Sequence, residues 1–220
     1  MNGSPWEQAV YAAGKQVNRW PYTGVVATTM RHFGNRDRSQ VRVLELGCGT
    51  GNNIRFLAEE GFSATGIDQS PTAIKLAEEL LIGNGLSAEL QTGDFSVLDF
   101  ESESFDLVID RAAIVHNCFR TMHTVVGEAR RVLKPGGLLY SHGIKGAGHP
   151  EKHHGREVEP YSRDHFDNGK FRGVGITSFL DLDALNELFR DFSTFTWRCH
   201  RTSGPNDRLL DEEYEIEAVK

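Results

Sequence analysis

The stretch VRVLELGCGTGNN, residues 41–53, decides the fold. An apolar run closes on the acidic Glu45, and Gly47, Gly49 and Gly51 then fall at every second position. Just beyond, Ile54, Leu57 and Ala58 share one face at helical spacing. A strand, a glycine turn and a helix in that order predict something lying very close to the backbone, because glycine permits both positive φ and close approach. In an open parallel sheet, ligands bind at the carboxyl ends of the strands, where the first strand-to-helix turn can touch them. The helix after Gly51 points unpaired N–H groups and its positive dipole end at the same spot, so the turn expects an anionic ligand group.

Outward from this unit, short apolar runs alternate with helical spacing, which predicts βαβ units. The expected strands are residues 42–46, 64–67, 88–91, 105–109, 138–141, 194–199 and 214–219. Ile74, Ala77 and Leu81 mark a second helix, with Ser70 as its N-cap and Pro71 at the first helical position. Met122, Val125, Val126, Ala129 and Leu133 make a third stripe, which KPGG at 134–137 is expected to end. Arg130, Arg131 and Lys134 read as cations near that helix C-terminus. A further helix is expected around 182–189, and two helical pieces, around 7–19 and 25–33, precede the first strand. Residues 143–176, rich in Gly, His and charge, read as a long loop, a length usually functional or disordered.

At 220 residues the chain suits one domain. Its 39% hydrophobic and 25% charged residues are ordinary for a globular protein, and no apolar run nears the roughly 18 residues of a membrane span. The N-terminus lacks a secretory pattern. Cys48, Cys118 and Cys199 are odd in number and lack CxxC spacing, which predicts a reducing, cytoplasmic setting. A net charge of −7 argues against extended contact with nucleic acid or anionic membrane and favours a small or protein substrate.

Spacing narrows the ligand. The dinucleotide fingerprint is G-x-G-x-x-G, whereas this chain reads G-x-G-x-G, which disfavours NAD; no Walker phosphate loop occurs either. Asp68 ends the second expected strand, where a carboxylate can accept two hydrogen bonds from ribose hydroxyls. Asp94 with Phe95 ends the third and Asp110 the fourth, so with Glu45 four successive strand ends carry carboxylates.

Together these motifs resemble the class I S-adenosylmethionine-dependent methyltransferases over roughly residues 41–140: VLELGCGTG for the glycine motif, GIDQSP for the ribose motif, GDF for the adenine motif, FDLVIDRAA for the fourth strand and RVLKPGG before the fifth. The resemblance implies a Rossmann-like α/β fold, a three-layer α/β/α sandwich whose seven-stranded, mostly parallel sheet ends in an antiparallel strand. It also implies S-adenosylmethionine as cofactor and S-adenosylhomocysteine as product. On that likeness Gly47, Cys48, Gly49 and Gly51 wrap the amino-acid part of the cofactor, and Glu45 supports the turn. Asp68 takes the ribose, Gln69 lies beside the adenine, Asp94 accepts from its exocyclic amine and the Phe95 N–H faces a ring nitrogen. Asp110 helps hold the methionyl amino group through its backbone carbonyl, and Arg111 joins the same site. Cys48 is small packing rather than a nucleophile. Trp20 and Tyr22, in an N-terminal cap, either face the sulfonium or anchor the cap to the core.

The implied reaction is methyl displacement from a sulfonium, to which the protein contributes alignment, exclusion of water and a base if the acceptor is a hydroxyl. His116, following the fourth strand, and His142, ending the fifth, are the candidate bases, each with a structural alternative. With His142, the segment holding His149, His153, His154 and His165 gathers five of the nine histidines, but no metal-ligand spacing appears, so a lid over the acceptor is expected rather than a metal site. The expected organisation is a cap (1–38), a cofactor-binding core (39–142), an insertion or lid (143–177) and a C-terminal helix and hairpin (178–220). A small-molecule acceptor, most plausibly a sugar or metabolite hydroxyl, is expected, with N-methylation and a non-catalytic binding module as alternatives and a monomer or homodimer as the assembly.

Overall fold

The computed structural model describes residues 6–12, 14 and 18–220. Strand β1 (Arg42–Leu46) lies at the centre of the sheet, and its side chains bury on both faces. Val43 packs with Leu107, Ile109 and Tyr140 on one side; Leu44 and Leu46 join Val108 and Leu139 on the other. That alternation is the period of two of a strand covered twice. Strands β2 (Ser63–Asp68), β3 (Glu89–Thr92), β4 (Phe105–Arg111) and β5 (Leu133–Gly146) run parallel to it, in the order β3-β2-β1-β4-β5.

Helices α1 (Thr23–Phe33), α2 (Asn52–Glu59) and α3 (Pro71–Gly83) cover the first face. Helices α4 (Phe119–Val132) and α5 (Leu182–Phe189) cover the second. Helix α3 starts where its cap dictates: Ser70 Oγ accepts from the Ala73 N–H at 2.9 Å, with Pro71 in the first position. Gly51, at φ +80°, begins α2, and a Cβ there would stand 2.8 Å from the Cβ of Ala77. Gly51→Ala is therefore expected to lower stability by roughly 2–4 kcal/mol in urea unfolding, through left-handed strain plus overpacking.

Strands β9 (Thr194–Ser203) and β10 (Leu209–Val219) complete the sheet. β10 pairs antiparallel with β5, from Leu138↔Val219 to Lys145↔Glu213, and β9 pairs antiparallel with its other edge. The three-layer sandwich, with an antiparallel final strand inserted beside the fifth, is the fold the sequence implied.

The strand count is corrected. β6 (Arg156–Glu159), β7 (Ser162–Asp164) and β8 (Thr177–Leu180) lie in the segment read as a loop, and the sheet has ten strands among the described residues. β5 does not stop at Ser141 but runs to Gly146. Past the end of β4, β8 takes the vacated side of β5 through Lys145↔Phe179 and Gly146↔Leu180, and β7 and β6 follow antiparallel. Phe166, Phe171 and Phe179 form a small core of their own beneath this hairpin. α4 ends at Val132 and Leu133 is already extended, so KPGG does not end the helix but bulges within β5, between the pairs Phe105↔Leu133 and Leu107↔Leu138. The basic cluster there is structural: Arg131 grips Glu128 and the carbonyls of Leu98 and Phe100, and Lys134 bonds Asp106 at 2.6 Å.

Of the helical piece expected over 7–19, one π-helical turn, Glu7–Tyr11, is present, and residues 13 and 15–17 lie outside the described residues. No helix among the described residues is long and apolar enough to cross a membrane.

Candidate active site

A cleft of about 570 Å³ opens at the carboxyl ends of β1, β2 and β4, between the glycine turn, the N-terminal segment and the β7–β8 connection. Its floor is the turn itself. Gly47, at φ +64°, has Ala113 so near that a Cβ would come within 2.4 Å of the alanine methyl. The Cys48 N–H reaches back to Ile67 O at 3.1 Å, and Asp68 completes the hold. Asp68 Oδ2 accepts from the Gly49 N–H and Oδ1 from the Ser70 N–H, both at 2.9 Å. One carboxylate thus ties the first two strand-to-helix turns together, while burial raises its pKa against those two bonds.

Glu45 lies beneath the turn and is 2% exposed. Its Oε1 accepts from Asn53 Nδ2 at 2.6 Å, and Oε2 is buried without a partner in this residue of the cleft lining. Burial, reinforced by the charges of Asp68 and Asp110, pushes its carboxyl up to about 8, against the Asn53 bond and Arg111. Arg111 stacks its guanidinium over the Tyr22 ring at 4.2 Å, donates to His142 O at 3.3 Å and buries an unpartnered Nε.

The first turn of α2 anchors the N-terminal segment. Asn53 Oδ1 accepts from the Tyr22 N–H at 3.0 Å, and Asn52 Nδ2 donates to Trp20 O at 2.8 Å. The same segment brings Tyr11 over the turn, where a Cβ on Gly49 would stand 2.8 Å from the tyrosine hydroxyl, and Glu7 accepts from Thr72 Oγ1 at 2.6 Å and from Ser70 Oγ. Trp6 meets the ring of His116 edge-on at 4.9 Å. His116 in turn holds Thr177 Oγ1 through Nδ1 at 3.1 Å, and burial pushes its pKa down to about 4, so its ring is neutral at pH 7.

The residues named from the sequence divide. Tyr22, Glu45, Gly47, Cys48, Gly49, Asp68, Gln69, Phe95, Arg111 and His116 line the cleft together. Five do not. Trp20 is 64% exposed, between the guanidinium groups of Arg19 and Arg55, and reaches the site only through its carbonyl. Gly51 faces α3 rather than the opening. Asp94 is exposed and caps its own turn through the Ser96 N–H at 2.8 Å. Asp110, fully buried, accepts from the N–H groups of Ala113 and Ile114 and from Ser141 Oγ, fixing the turn after β4. His142 lies on the α1 face of β5, with Nε2 3.1 Å from Glu213 Oε1; it is not on the cleft and is not placed to act as a base. Glu213 is held well below the usual carboxylate range by His142 and Lys145.

Trp6 and Tyr11, aromatic residues upstream of Trp20 in the same cap, line the cleft too, as do Asn52, Asn53, Asn117, Lys145, Asp164 and Phe171, which the sequence reading did not single out. The paired asparagines directly after the glycine turn were the available signal. Among the described histidines of the insertion, His149 is fully buried against Phe171 and Phe179, its Nδ1 accepting from the Glu151 N–H at 3.1 Å. Cys48 is a buried thiol whose pKa burial raises, which suits packing.

Residues 43–137 match the family model described as a methyltransferase domain. The phthiotriol/phenolphthiotriol dimycocerosates methyltransferase of Mycobacterium leprae is 39% identical over 100 residues, 44% of this chain and 36% of that protein. The chain spans less than half the length of the curated relatives it matches. Among solved structures, an S-adenosylmethionine-dependent methyltransferase of Methanosarcina mazei is 25% identical with a TM-score of 0.71, covering 91% of this chain and 98% of its own. The 1,6-didemethyltoxoflavin-N1-methyltransferase of Burkholderia thailandensis, solved with 1,6-didemethyltoxoflavin and S-adenosylhomocysteine, shares the fold at 20% identity and a TM-score of 0.66, covering 96% and 84% of the two chains. With its sheet order, its matched domain and this likeness over most of both chains, the chain is similar to the class I S-adenosylmethionine-dependent methyltransferases.

Proposed function

We propose that this chain transfers a methyl group from S-adenosylmethionine to a small-molecule acceptor, at a hydroxyl, with His116 receiving the proton. The observation that carries the reading is the buried, orphaned Oε2 of Glu45, a residue of the cleft lining, beneath a glycine turn that Asp68 holds. A cation is the natural partner for that oxygen, and the unpartnered Nε of Arg111 nearby suits a carboxylate. Together they fit a zwitterionic amino-acid end. Asp68 has lone pairs left for ribose hydroxyls, and Gln69 and Phe95 flank a place for a base ring.

Bound there, S-adenosylmethionine supplies a methyl group on a positively charged sulfonium. The chain's own residues align and exclude. Tyr11, Tyr22 and Trp6 cover the cleft from the N-terminal side and keep water from it. An acceptor hydroxyl beside the bound cofactor would give its proton to the His116 ring, which Thr177 Oγ1 orients through Nδ1.

Transfer of labelled methyl from S-adenosylmethionine to hydroxyl-bearing small molecules tests the reading. His116→Gln is expected to lower kcat about tenfold with S-adenosylhomocysteine affinity unchanged, less than a base poised near neutral pH would supply. Because the ring is already neutral above about pH 5, the kcat profile should lack an inflection near 6.5. Binding without transfer to any acceptor would instead make the chain a binding module, and methyl recovered on nitrogen would move the reaction to amines.

A further inference from the structure

The end of the cleft away from the glycine turn is walled by His116, Asn117, Lys145, Asp164, Phe171 and Ile176. Its charges are unequally committed. Lys145 is 9% exposed, with Nζ 2.6 Å from Glu213 Oε2 and 3.2 Å from Asp211 Oδ1, so two carboxylates more than cancel its charge. Asp211 is shared further with Lys170, at 2.8 Å, and lies 3.3 Å from His149 Nε2. Arg111, the other cation on the lining among the described residues, lies over the Tyr22 ring and faces Glu45.

Asp164 differs from these. It ends β7 on the cleft wall, and among the described residues no lysine or arginine reaches its carboxylate. Its Oδ1 accepts from the His165 N–H at 2.6 Å, and the His165 ring, 3.7 Å from Oδ2, is largely in solvent. The same lining is aromatic: Phe171 and Trp6 flank the His116 ring at 5.9 and 4.9 Å. A carboxylate that no lysine or arginine meets, in one lining with aromatic rings and a lysine already neutralised, makes this end attractive to positive charge and repellent to negative charge.

Resting on the methyl-transfer reading, we propose that the acceptor carries a cationic nitrogen, an amine or its quaternary equivalent, which Asp164 receives against the Trp6 and Phe171 rings. The amine orients the acceptor; the atom methylated is a separate group of the same molecule, presented to His116. Asp164 is thus a specificity-determining residue contributed by the hairpin inserted after β5.

The test uses three probes that share a phenol ring and differ only in their tail: tyramine (cationic), tyrosol (neutral) and 4-hydroxyphenylacetate (anionic). Each is titrated by calorimetry into protein saturated with S-adenosylhomocysteine. Tyramine is expected to bind about tenfold more tightly than tyrosol, with 4-hydroxyphenylacetate weakest. Asp164→Asn should bring tyramine to the level of tyrosol while leaving S-adenosylhomocysteine affinity and melting temperature unchanged. Equal or tighter binding of either other probe overturns the proposal, as does a tyramine preference that survives Asp164→Asn, or no tyramine binding at millimolar concentration. If S-adenosylhomocysteine itself does not bind, the cofactor reading fails, and the same comparison on the protein alone still reads Asp164.

Discussion

Asp68→Ala is expected to lower the affinity for S-adenosylhomocysteine about a hundredfold by calorimetry, with NAD, for which no binding is expected, as control. Two contributions combine. The ribose hydroxyls lose their acceptor, a charge-assisted pair worth roughly 1.5–3 kcal/mol. The Gly49 and Ser70 N–H groups also lose the oxygens that hold both turns in register, so the backbone that meets the ligand is no longer preorganised. Asp68→Asn separates the two, because an amide oxygen still accepts one N–H while the charge is gone. It should lose about tenfold. Equal affinity in wild type and Asp68→Ala would remove Asp68 from the site.

Glu45→Gln is expected to stabilise the ligand-free protein by about 4 kcal/mol at pH 8 and by under about 1 kcal/mol at pH 5. The folded carboxyl titrates at about 8 and the unfolded one near its ordinary 4.5. Between those values the unfolded chain has released a proton that the native state retains, so stability falls as pH rises. Glutamine keeps the bond from Asn53 Nδ2 and cannot ionise. His116 acts in the opposite sense: its depressed pKa costs stability as pH falls from about 6.5 toward 4. Comparison of Glu45→Gln with wild type at each pH cancels that contribution. A melting temperature raised by roughly 10 °C at pH 8 and nearly unchanged at pH 5 is the expected reading; a pH-independent difference would show that Glu45 is ionised in the fold.

Local chemistry was what the sequence made legible. Ser70 and Pro71 open a helix by themselves, and β1 and α5 fall on the residues their patterns assign, because a strand buried on both faces and an amphipathic helix need no distant partner to be recognised. β6 and β7 could not be read, since they are three or four residues long, carry no apolar alternation and are held mainly by pairing with each other and with β8. At the site, the glycine turn, Glu45 and Asp68 carry their geometry in their spacing. His142 missed the cleft by strand parity, as it shares the α1 face with Tyr140. Trp20 missed it because an irregular segment chooses its inward aromatic by its tertiary path, and here Trp6, Tyr11 and Tyr22 take that place. Asp94 lies two residues past the end of β3 and Asp110 within β4, and each carboxylate satisfies nearby backbone.

The insertion of β10 between β5 and β9 sets an order on synthesis. Residues 209–219 emerge from the ribosome after every other strand, yet β9 reaches the sheet only through them. Until they arrive, the nascent chain can assemble β1 to β5 but leaves one edge of β5 open. Lys145 on the cleft wall then also lacks Asp211 and Glu213, the two carboxylates that neutralise it. The end of the cleft built by the glycine turn can thus form while translation continues, whereas the charge balance around Lys145 waits for β10.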